Sequence, residues 1–320
     1  MIISILKKLG TAIPVLLVVS IVLFILLNAL PGDAADATAS MDATREEIEQ
    51  IREDMGLNAP VYVRYWKWIS GIILHGDFGK SLINGSSVSQ TIAQRFPITL
   101  ELTLLAMIIA GLIALPLGIA SATHRNKAID YIASFMAMIG QAVPHFWLGM
   151  LMVLLFSVNL HWFPASGFAH IAKDGLGENL LRLIMPTFAI GFTFAAVIMR
   201  QTRSAMLDVL DQDYMSTAKA KGLPGRKIVW KHALKNALIP VITVMGMQTG
   251  RLFGGAIVIE TVFAIPGLGT KIVESIFSRD YQVTLGCVMT VAIIIILINT
   301  LVDILYVIID PRISHGKKGA

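Results

Sequence analysis

Six long apolar stretches are the feature of this sequence that most restricts its fold. Each holds about 20 or more mostly apolar residues, the length that an α-helix needs to cross the hydrocarbon core of a bilayer. They cover residues 9–30, 98–122, 129–158, 180–199, 238–262 and 283–309. Only 15% of the 320 residues are charged, whereas a soluble domain carries about 25%. The sequence therefore predicts an all-α, polytopic membrane protein with six transmembrane helices.

The first stretch has features of a secretory signal peptide. Lys7 and Lys8 precede its apolar run, and the small residues Ala37-Thr38-Ala39 follow it. The apolar core of a signal peptide has only about 7–15 residues, and this run is longer. We therefore expect an uncleaved N-terminal transmembrane helix within residues 1–30.

Lys and Arg are distributed unevenly among the connecting segments. If the N-terminus is cytoplasmic, the cytoplasmic segments hold 15 of them and the two short external loops hold four. The long external segment, 31–97, holds six, but nine acidic residues accompany them, and long loops count less for topology. The distribution predicts that both termini are cytoplasmic. The transmembrane domain at 98–309 would then contain a cytoplasmic loop at 200–237 and be followed by a cytoplasmic tail at 310–320.

Several functional classes are disfavoured by the residues. The net charge of +5 does not indicate nucleic-acid binding, because the basic residues cluster in short loops beside apolar stretches. A phosphate-binding Walker loop needs Gly, four residues, then Gly-Lys-Ser/Thr; the nearest fragment, Gly76–Ser81, has Leu74 where the first glycine would stand. Cys287 is the single cysteine, so the chain cannot form an internal disulfide.

The external segment 31–97 predicts two local features. Thr44 followed by Ile48, Ile51 and Met55 indicates a short amphipathic helix that ends at Gly56. The aromatic residues after it are open to two interpretations, either contact with the membrane interface or packing on the external ends of the helices. These residues are Tyr62, Tyr65, Trp66 and Trp68.

The cytoplasmic loop contains a second short helix. Asp213 is a plausible N-cap, and Gly222 would end the helix before the turn at Pro224-Gly225. Tyr214, Met215 and Ala218 share one helical face, which predicts a small apolar surface that projects into a groove on a cytoplasmic partner. The alternative is a basic juxtamembrane loop that faces lipid. The residues predicted to couple the membrane helices to such a partner are Asp213, Tyr214, Met215, Ser216, Thr217, Ala218, Lys219, Ala220, Lys221, Gly222 and Leu223.

Four polar residues in the apolar stretches are candidates for a translocation path or gate. Ionisable residues inside a membrane are costly and often functional. Glu101 can instead favour the positive N-terminal end of its helix. We expect Arg251 to face the bundle or a partner chain. His145 alone does not make a metal site, because several ligands must converge on a metal; the role of Glu260 is open.

The cytoplasmic loop resembles the "EAA" loop of bacterial ABC importer permeases. That motif reads Glu-Ala-Ala, three residues, then Gly, and here Ser216-Thr217-Ala218 stands before Gly222 in the same register. The first residue departs from the Glu of the motif, but Thr-Ala-Lys-Ala-Lys-Gly-Leu is the form typical of the dipeptide, oligopeptide and nickel permease branch. Further likenesses to this branch occur in order along the chain. They are Pro31-Gly32-Asp33, Gly76–Gly79, Thr99–Leu102, His232–Val241, Gly254–Ala256, Glu260–Phe263, Pro266–Gly269, Arg279–Tyr281 and Asp310–Arg312.

The resemblance implies a type I ABC importer permease fold in the bacterial cytoplasmic (inner) membrane. It implies a second homologous permease subunit, two ATPase subunits that bind ATP and Mg, and an extracytoplasmic substrate-binding protein. The chain itself would be non-catalytic, with no cofactor, no metal and no nucleic-acid partner, and would contact the lipid bilayer. Its cargo would be short peptides, with nickel or metallophores and glutathione as alternatives within the family.

Two other classes stay open on the residues. An ion-coupled secondary transporter would carry paired ionisable residues across inverted repeats, and the sequence shows no such internal repeat. A membrane scaffold or receptor does not transport a solute, so disruption of the Gly222 loop would not reduce any transport flux.

Overall fold

The computed structural model describes residues 2–30, 32–39 and 43–309, and it is helical along most of that length. The predicted tail at 310–320, with its Asp310–Arg312 motif, lies outside these residues. The helices are α1 (Ile2–Ala29), α2 (Ala34–Thr38), α3 (Arg45–Asp54), α4 (Val61–His75), α5 (Val88–Thr123), α6 (Ala128–Ala142), α7 (His145–Met152), α8 (Ile171–Asp174), α9 (Leu176–Leu210), α10 (Asp213–Ala220), α11 (Gly225–Lys227), α12 (Leu234–Val262), α13 (Leu268–Phe277) and α14 (Tyr281–Ile309). Two π-helical segments, Val153–Asn159 and Ile228–Ala233, continue α7 and join α11 to α12.

The number of membrane-crossing helices agrees with the sequence. Five helical stretches are long and apolar enough to cross a bilayer, and a bent pair makes up to six. The five are Gly10–Ala29, Val88–Thr123, Leu176–Leu210, Gly225–Val262 and Tyr281–Val302. The prediction of an all-α, polytopic fold is confirmed.

The third predicted span, 129–158, is not one straight helix. It consists of Ala128–Ala142 and His145–Asn159, which meet at an angle of 98°. Val143 and Pro144 between them are extended, with ψ angles of 121° and 134°. Proline disfavours the helical conformation in the residue before it, which explains a break at Val143.

Two other spans are longer than the apolar runs that predicted them. α5 begins at Val88 rather than at residue 98, and α9 covers 176–210 rather than 180–199. The added residues are polar or charged in part, so they extend the helix without extending the apolar run. Hydropathy detects the part of a helix that needs lipid, and it does not detect where the helix ends.

The chain divides into two compact units. The first is formed mainly by Leu100–Ile265, and the second by Leu6–Thr99 together with Pro266–Ile296. In the first unit α9 contacts α6, α7 and α12. More of the apolar window of α9 is buried, 56%, than of any other candidate span, so α9 is the central helix of this unit.

Small residues allow the helices of the first unit to pack closely. Its core is rich in alanine, including Ala114, Ala137 and Ala196. A Cβ added at Gly191 of α9 would lie 2.8 Å from the carbonyl oxygen of Ala106 in α5. Small residues at helix contacts are characteristic of membrane proteins, in which close backbone approach favours association.

We expect the Gly191→Ala variant to be destabilised by about 1–3 kcal/mol, the usual cost of overpacking. The added methyl group meets backbone, which cannot move aside as a side chain can. Gly177→Ala is the matched control in the same helix, because a Cβ at Gly177 meets no atom within 4 Å. Thermal unfolding of the purified variants in detergent measures the difference. Equal melting temperatures for the two variants would contradict the close packing at Gly191.

The second unit contains the external segment. Its core joins α1, α4 and α14 through Phe24, Leu27, Trp68, Leu285 and Met289, together with neighbouring apolar residues. The predicted amphipathic helix is α3. Thr44 is its N-cap in a capping box with Glu47, and Gly56 follows its end with φ +68°.

An arginine ties α3 to α2. Arg52 contacts Asp33 at 2.7 Å and Asp36 at 3.2 Å. Burial raises the pKa of Asp33, but hydrogen bonds from Arg52 and from the backbone N–H groups of Asp36 and Ala35 outweigh it, so the pKa lies below its ordinary value. The carboxylate of Asp33 is therefore held in its charged form at neutral pH.

Candidate coupling segment and path residues

The segment predicted to couple to a partner is a short helix between two long ones. α9 ends at Leu210, α10 covers Asp213–Ala220, and α12 begins at Leu234 after α11 and a π-helical turn. The backbone N–H of Met215 donates to the carbonyl of Gln212 at 3.0 Å. Asp213 is the first residue of the helix, so the predicted N-cap is displaced by one position. The predicted helix itself is present.

Gly222 ends α10 as predicted. Its φ of +73° is in the left-handed region that favours glycine. The N–H of Leu223 donates to the carbonyl of Ala218 at 3.3 Å, which is the long hydrogen bond of a Schellman motif. A Cβ at Gly222 would meet no atom within 4 Å. The glycine is therefore required by the backbone conformation and not by crowding.

The apolar face of α10 packs on its own chain. Met215 is fully buried, in a core cluster that includes Met206 of α9, Ile228 of the π-helical turn and Ala233. Ala218 and Leu223 pack against the same cluster. Met215 and Ala218 thus anchor α10 and do not project toward a partner. In this respect the apolar surface predicted from the sequence is corrected, because periodicity identifies an apolar face but not what covers it.

The opposite face of α10 is open. Its exposed residues, with those of the following turn, are Asp213, Tyr214, Ser216, Thr217, Ala220, Lys221 and Gly222; the side chain of Lys219 lies outside the described residues. The Nδ2 of Asn236 in α12 donates to the hydroxyl of Tyr214 at 3.0 Å. α10 therefore shares one core cluster with α9 and α12, contacts the π-helical turn directly, and is hydrogen-bonded to α12.

A buried ion pair lies in the same unit. Arg203 of α9 contacts Asp130 of α6 through two parallel hydrogen bonds of 2.7 and 2.8 Å. Asp130 is only 4% exposed and also accepts from the Ser121 hydroxyl and the backbone N–H of Asn126. One carboxylate thus joins α5, the α5–α6 loop, α6 and α9. Sequence reasoning missed this group, although an acidic residue at the start of an apolar stretch is a usable signal.

An exposed cleft lies next to the end of α10. It has a volume of about 530 Å³ and is lined by Leu207, Leu210, Leu223, Ile228 and Val229 together with charged residues. The two charged residues of the lining, Arg125 and Asp211, are 3.5 Å apart. The cleft places apolar and charged groups side by side next to the coupling segment.

The four predicted path residues differ in their surroundings. Glu260 is fully buried, Arg251 is exposed, and Glu101 is half-buried. The Nε2 of His145 is buried with no hydrogen-bond partner in the part of the chain that the structure describes. It lies 3.5 Å from where a Cβ of Gly255 would be. Their role in translocation stays a prediction.

No group of three or more His, Cys, Asp or Glu side chains that could hold a metal ion occurs among residues 2–30, 32–39 and 43–309.

Comparison with known proteins gives matches along nearly the whole chain. Residues 114–315 match the family of binding-protein-dependent transport system inner membrane components, and residues 1–103 match the N-terminal family of the same components. The oligopeptide transport system permease protein AppB of Bacillus subtilis is 40% identical over 313 residues, which cover 97% of this chain and 99% of that protein. The glutathione transport system permease protein GsiC of Salmonella paratyphi A is 42% identical over 311 residues, 97% of this chain and 98% of that protein.

Solved structures show the same fold. An inward-facing form of the MetNI methionine ABC transporter aligns with a TM-score of 0.59 at 18% identity, over 69% of this chain and 97% of that one. A second crystal form of that transporter gives 0.57 at 19% identity, with the same coverage. Together with the helical spans described above, these matches show that the chain belongs to the family of binding-protein-dependent transport system inner membrane components, the multi-pass permease subunits of ABC importers.

Proposed function

We propose that this permease moves short peptides across the bacterial inner membrane by alternating access, driven by separate ATPase subunits. The observation that carries the coupling mechanism is the anchored helix α10, with Met215 fully buried in its own core and one face open. A helix held in this way transmits a push at its open face to α9 and α12. Relatives named for oligopeptide and glutathione transport support the choice of cargo.

The proposed complex contains a second homologous permease, two ATPases and an extracytoplasmic binding protein. The ATPases bind ATP and Mg and carry out hydrolysis, while this chain is non-catalytic and holds no cofactor. Their closure moves α10 through its exposed residues, including Ser216 and Thr217. The motion reaches α9 through Met206 and α12 through Asn236. Both termini and the α9–α12 connection lie on the cytoplasmic side in this arrangement.

The test of function is uptake by the reconstituted complex. Labelled di- to pentapeptides, glutathione and nickel are compared, with and without ATP and the binding protein. We expect peptide uptake that requires both. Uptake of nickel alone would overturn the cargo and keep the architecture. Uptake by this chain without ATPase subunits would overturn the ATP-driven mechanism in favour of a secondary transporter.

Gly222 provides a test of the coupling segment. We expect Gly222→Val to insert normally but to lose most ATP-driven uptake, because a β-branched residue is strained at φ +73° and would shift the end of α10. Gly222→Asn is the matched control, since asparagine tolerates this conformation. Measured per inserted complex, the asparagine variant should transport nearly as the native chain does. Equal transport by the valine variant would contradict a coupling role for the turn.

A further inference from the structure

We propose that the cavity between α1, α4 and α14 binds the phosphate group of a phospholipid, and that lipid acyl chains cover the exposed face of α4 beside it. The bound phospholipid belongs to the outer leaflet. This assignment rests on the topology proposed above. The site itself is independent of cargo and of ATP-driven transport.

The depth of α4 is fixed by its contacts with α1. The hydroxyl groups of Ser20 and Tyr65 are 2.8 Å apart, and Trp68 packs against Phe24 with ring centroids 5.9 Å apart. Ser20 lies nine residues before the end of the apolar span at Ala29, near the middle of that span, whereas Phe24 and Asn28, which line the cavity, lie five residues and one residue before that end. The inner face of α4 therefore packs beside the hydrocarbon-crossing part of α1.

A second face of α4 is apolar and uncovered. Tyr62, Trp66 and Ile73 are 68, 65 and 72% exposed, and their spacing of four and seven residues places them in one stripe. Tyrosine and tryptophan are enriched at membrane–water interfaces. The stripe belongs to the helix that packs on α1, whose Ile25 and Leu26 are also more than half exposed. Lipid that covers α1 would thus also cover this stripe.

The aromatic residues therefore divide between the two interpretations that the sequence left open. Tyr65 and Trp68 pack inward on Phe24. Tyr62 and Trp66 face outward. An exposed apolar and aromatic face on a helix that packs beside a membrane-crossing helix is a surface that lipid can cover.

The cavity lies on the third side of α4 and suits an anion. It has a volume of about 350 Å³, and its charged lining residues are Arg64, Lys67, Lys80 and Asp77. Asp77 already accepts a hydrogen bond from the N–H of Gly79 at 2.9 Å. The lining therefore has three positive charges against one negative charge.

Two buried donors in the lining have no acceptor. Arg64 Nε and Trp68 Nε1 lack a hydrogen-bond partner in the described chain, and Trp68 is only 6% exposed. A buried donor without a partner costs free energy. Both atoms are enclosed, so a phosphate in the cavity contacts instead the charged ends of Arg64, Lys67 and Lys80, which line it. Phe24 and Leu285 line the apolar side of the same cavity. A polar end beside apolar spans matches a lipid with its headgroup at the cavity and its acyl chains along the helices.

The first experiment counts bound lipid. The purified complex is delipidated in detergent, titrated with phosphatidylglycerol and measured by native mass spectrometry. We expect the Arg64→Gln/Lys67→Gln variant to bind this lipid at least about tenfold more weakly, since each basic residue near anionic lipid contributes about a factor of five. The control is Arg45→Gln/Lys173→Gln, which removes the same charge from exposed positions. Equal weakening in both variants, or none in the first, would overturn the proposal.

Two further experiments distinguish a bound lipid from other anions. Inorganic phosphate and a short peptide are offered as competitors; competition at low millimolar concentration by either would assign the cavity to a soluble anion instead. In nanodiscs, fluorescence of the native chain and of Trp66→Phe is compared with lipids brominated on their acyl chains. The difference signal from Trp66 should be quenched by the brominated lipid. Quenching by aqueous iodide alone would contradict lipid contact with this face of α4.

Discussion

Replacing Arg203 with leucine should destabilise the protein by about 3 kcal/mol, the low end of the range for breaking a buried ion pair. The low end applies because the Arg203 side chain is 29% exposed, whereas that of Asp130 is 5% exposed. The variant leaves the carboxylate buried without its bidentate partner. The hydroxyl of Ser121 and the N–H of Asn126 still donate to it, but neither carries a charge.

The loss of stability should depend on which partner of the ion pair is replaced. Asp130→Asn removes the buried charge and leaves Arg203 partly hydrated, so we expect it to cost less than Arg203→Leu. The double variant Asp130→Leu/Arg203→Leu should recover much of the loss, because buried pairs can often be replaced by apolar residues. Thermal unfolding in detergent ranks the three variants. A double variant no more stable than Arg203→Leu would show that the pair has another role.

The second large effect is expected at Met215. Met215→Ala should cost about 2–5 kcal/mol of local stability, the usual range for truncating a fully buried methionine. The loss falls on the core cluster that Met215 shares with α9 and the π-helical turn, so the coupling helix should loosen while the membrane helices stay packed. ATP-driven uptake should fall strongly. Hydrogen exchange of α10 and uptake by the reconstituted complex measure the two effects.

The opposite face of α10 supplies the control for Met215. Ser216→Arg/Thr217→Arg changes exposed residues only, so we expect an unchanged melting temperature and loss of ATPase subunits on co-purification. Truncation of Met215 should affect the two properties in the reverse order. The protection of α10 from hydrogen exchange should fall before any ATPase subunits are lost on co-purification. If the exposed variant binds ATPase subunits in full stoichiometry, this face of α10 is not the docking surface.

Much of the fold could be predicted from the sequence because lipid imposes a strict length on a span. The apolar runs located the membrane-crossing helices, and Gly222 correctly marked the end of α10. The 98° bend at Val143–Pro144 was not predicted, since hydropathy averages across a proline. The start of α5 at Val88 was also missed, because its first turns are polar.

The candidate site shows the limit of pattern analysis. The spacing of Met215 and Ala218 gave the apolar face of α10, but whether a partner or the same chain covers it depends on distant residues such as Met206. The partnership of Asp130 with Arg203 likewise joins residues 73 positions apart, and no local pattern relates them. Local sequence patterns predicted the helices, and tertiary contacts determined what each helix face packs against.

The burial of Met215 also bears on the order in which the complex is built. Because the core that holds α10 comes from one chain, the helix is complete once the membrane segments have packed. A newly inserted permease that waits for its ATPases would then present a folded surface to the cytoplasm and not a loose loop open to proteases. The ATPases would then bind a permease whose contact surface is already folded. Their docking rate would be limited by diffusional encounter and not by the folding of α10.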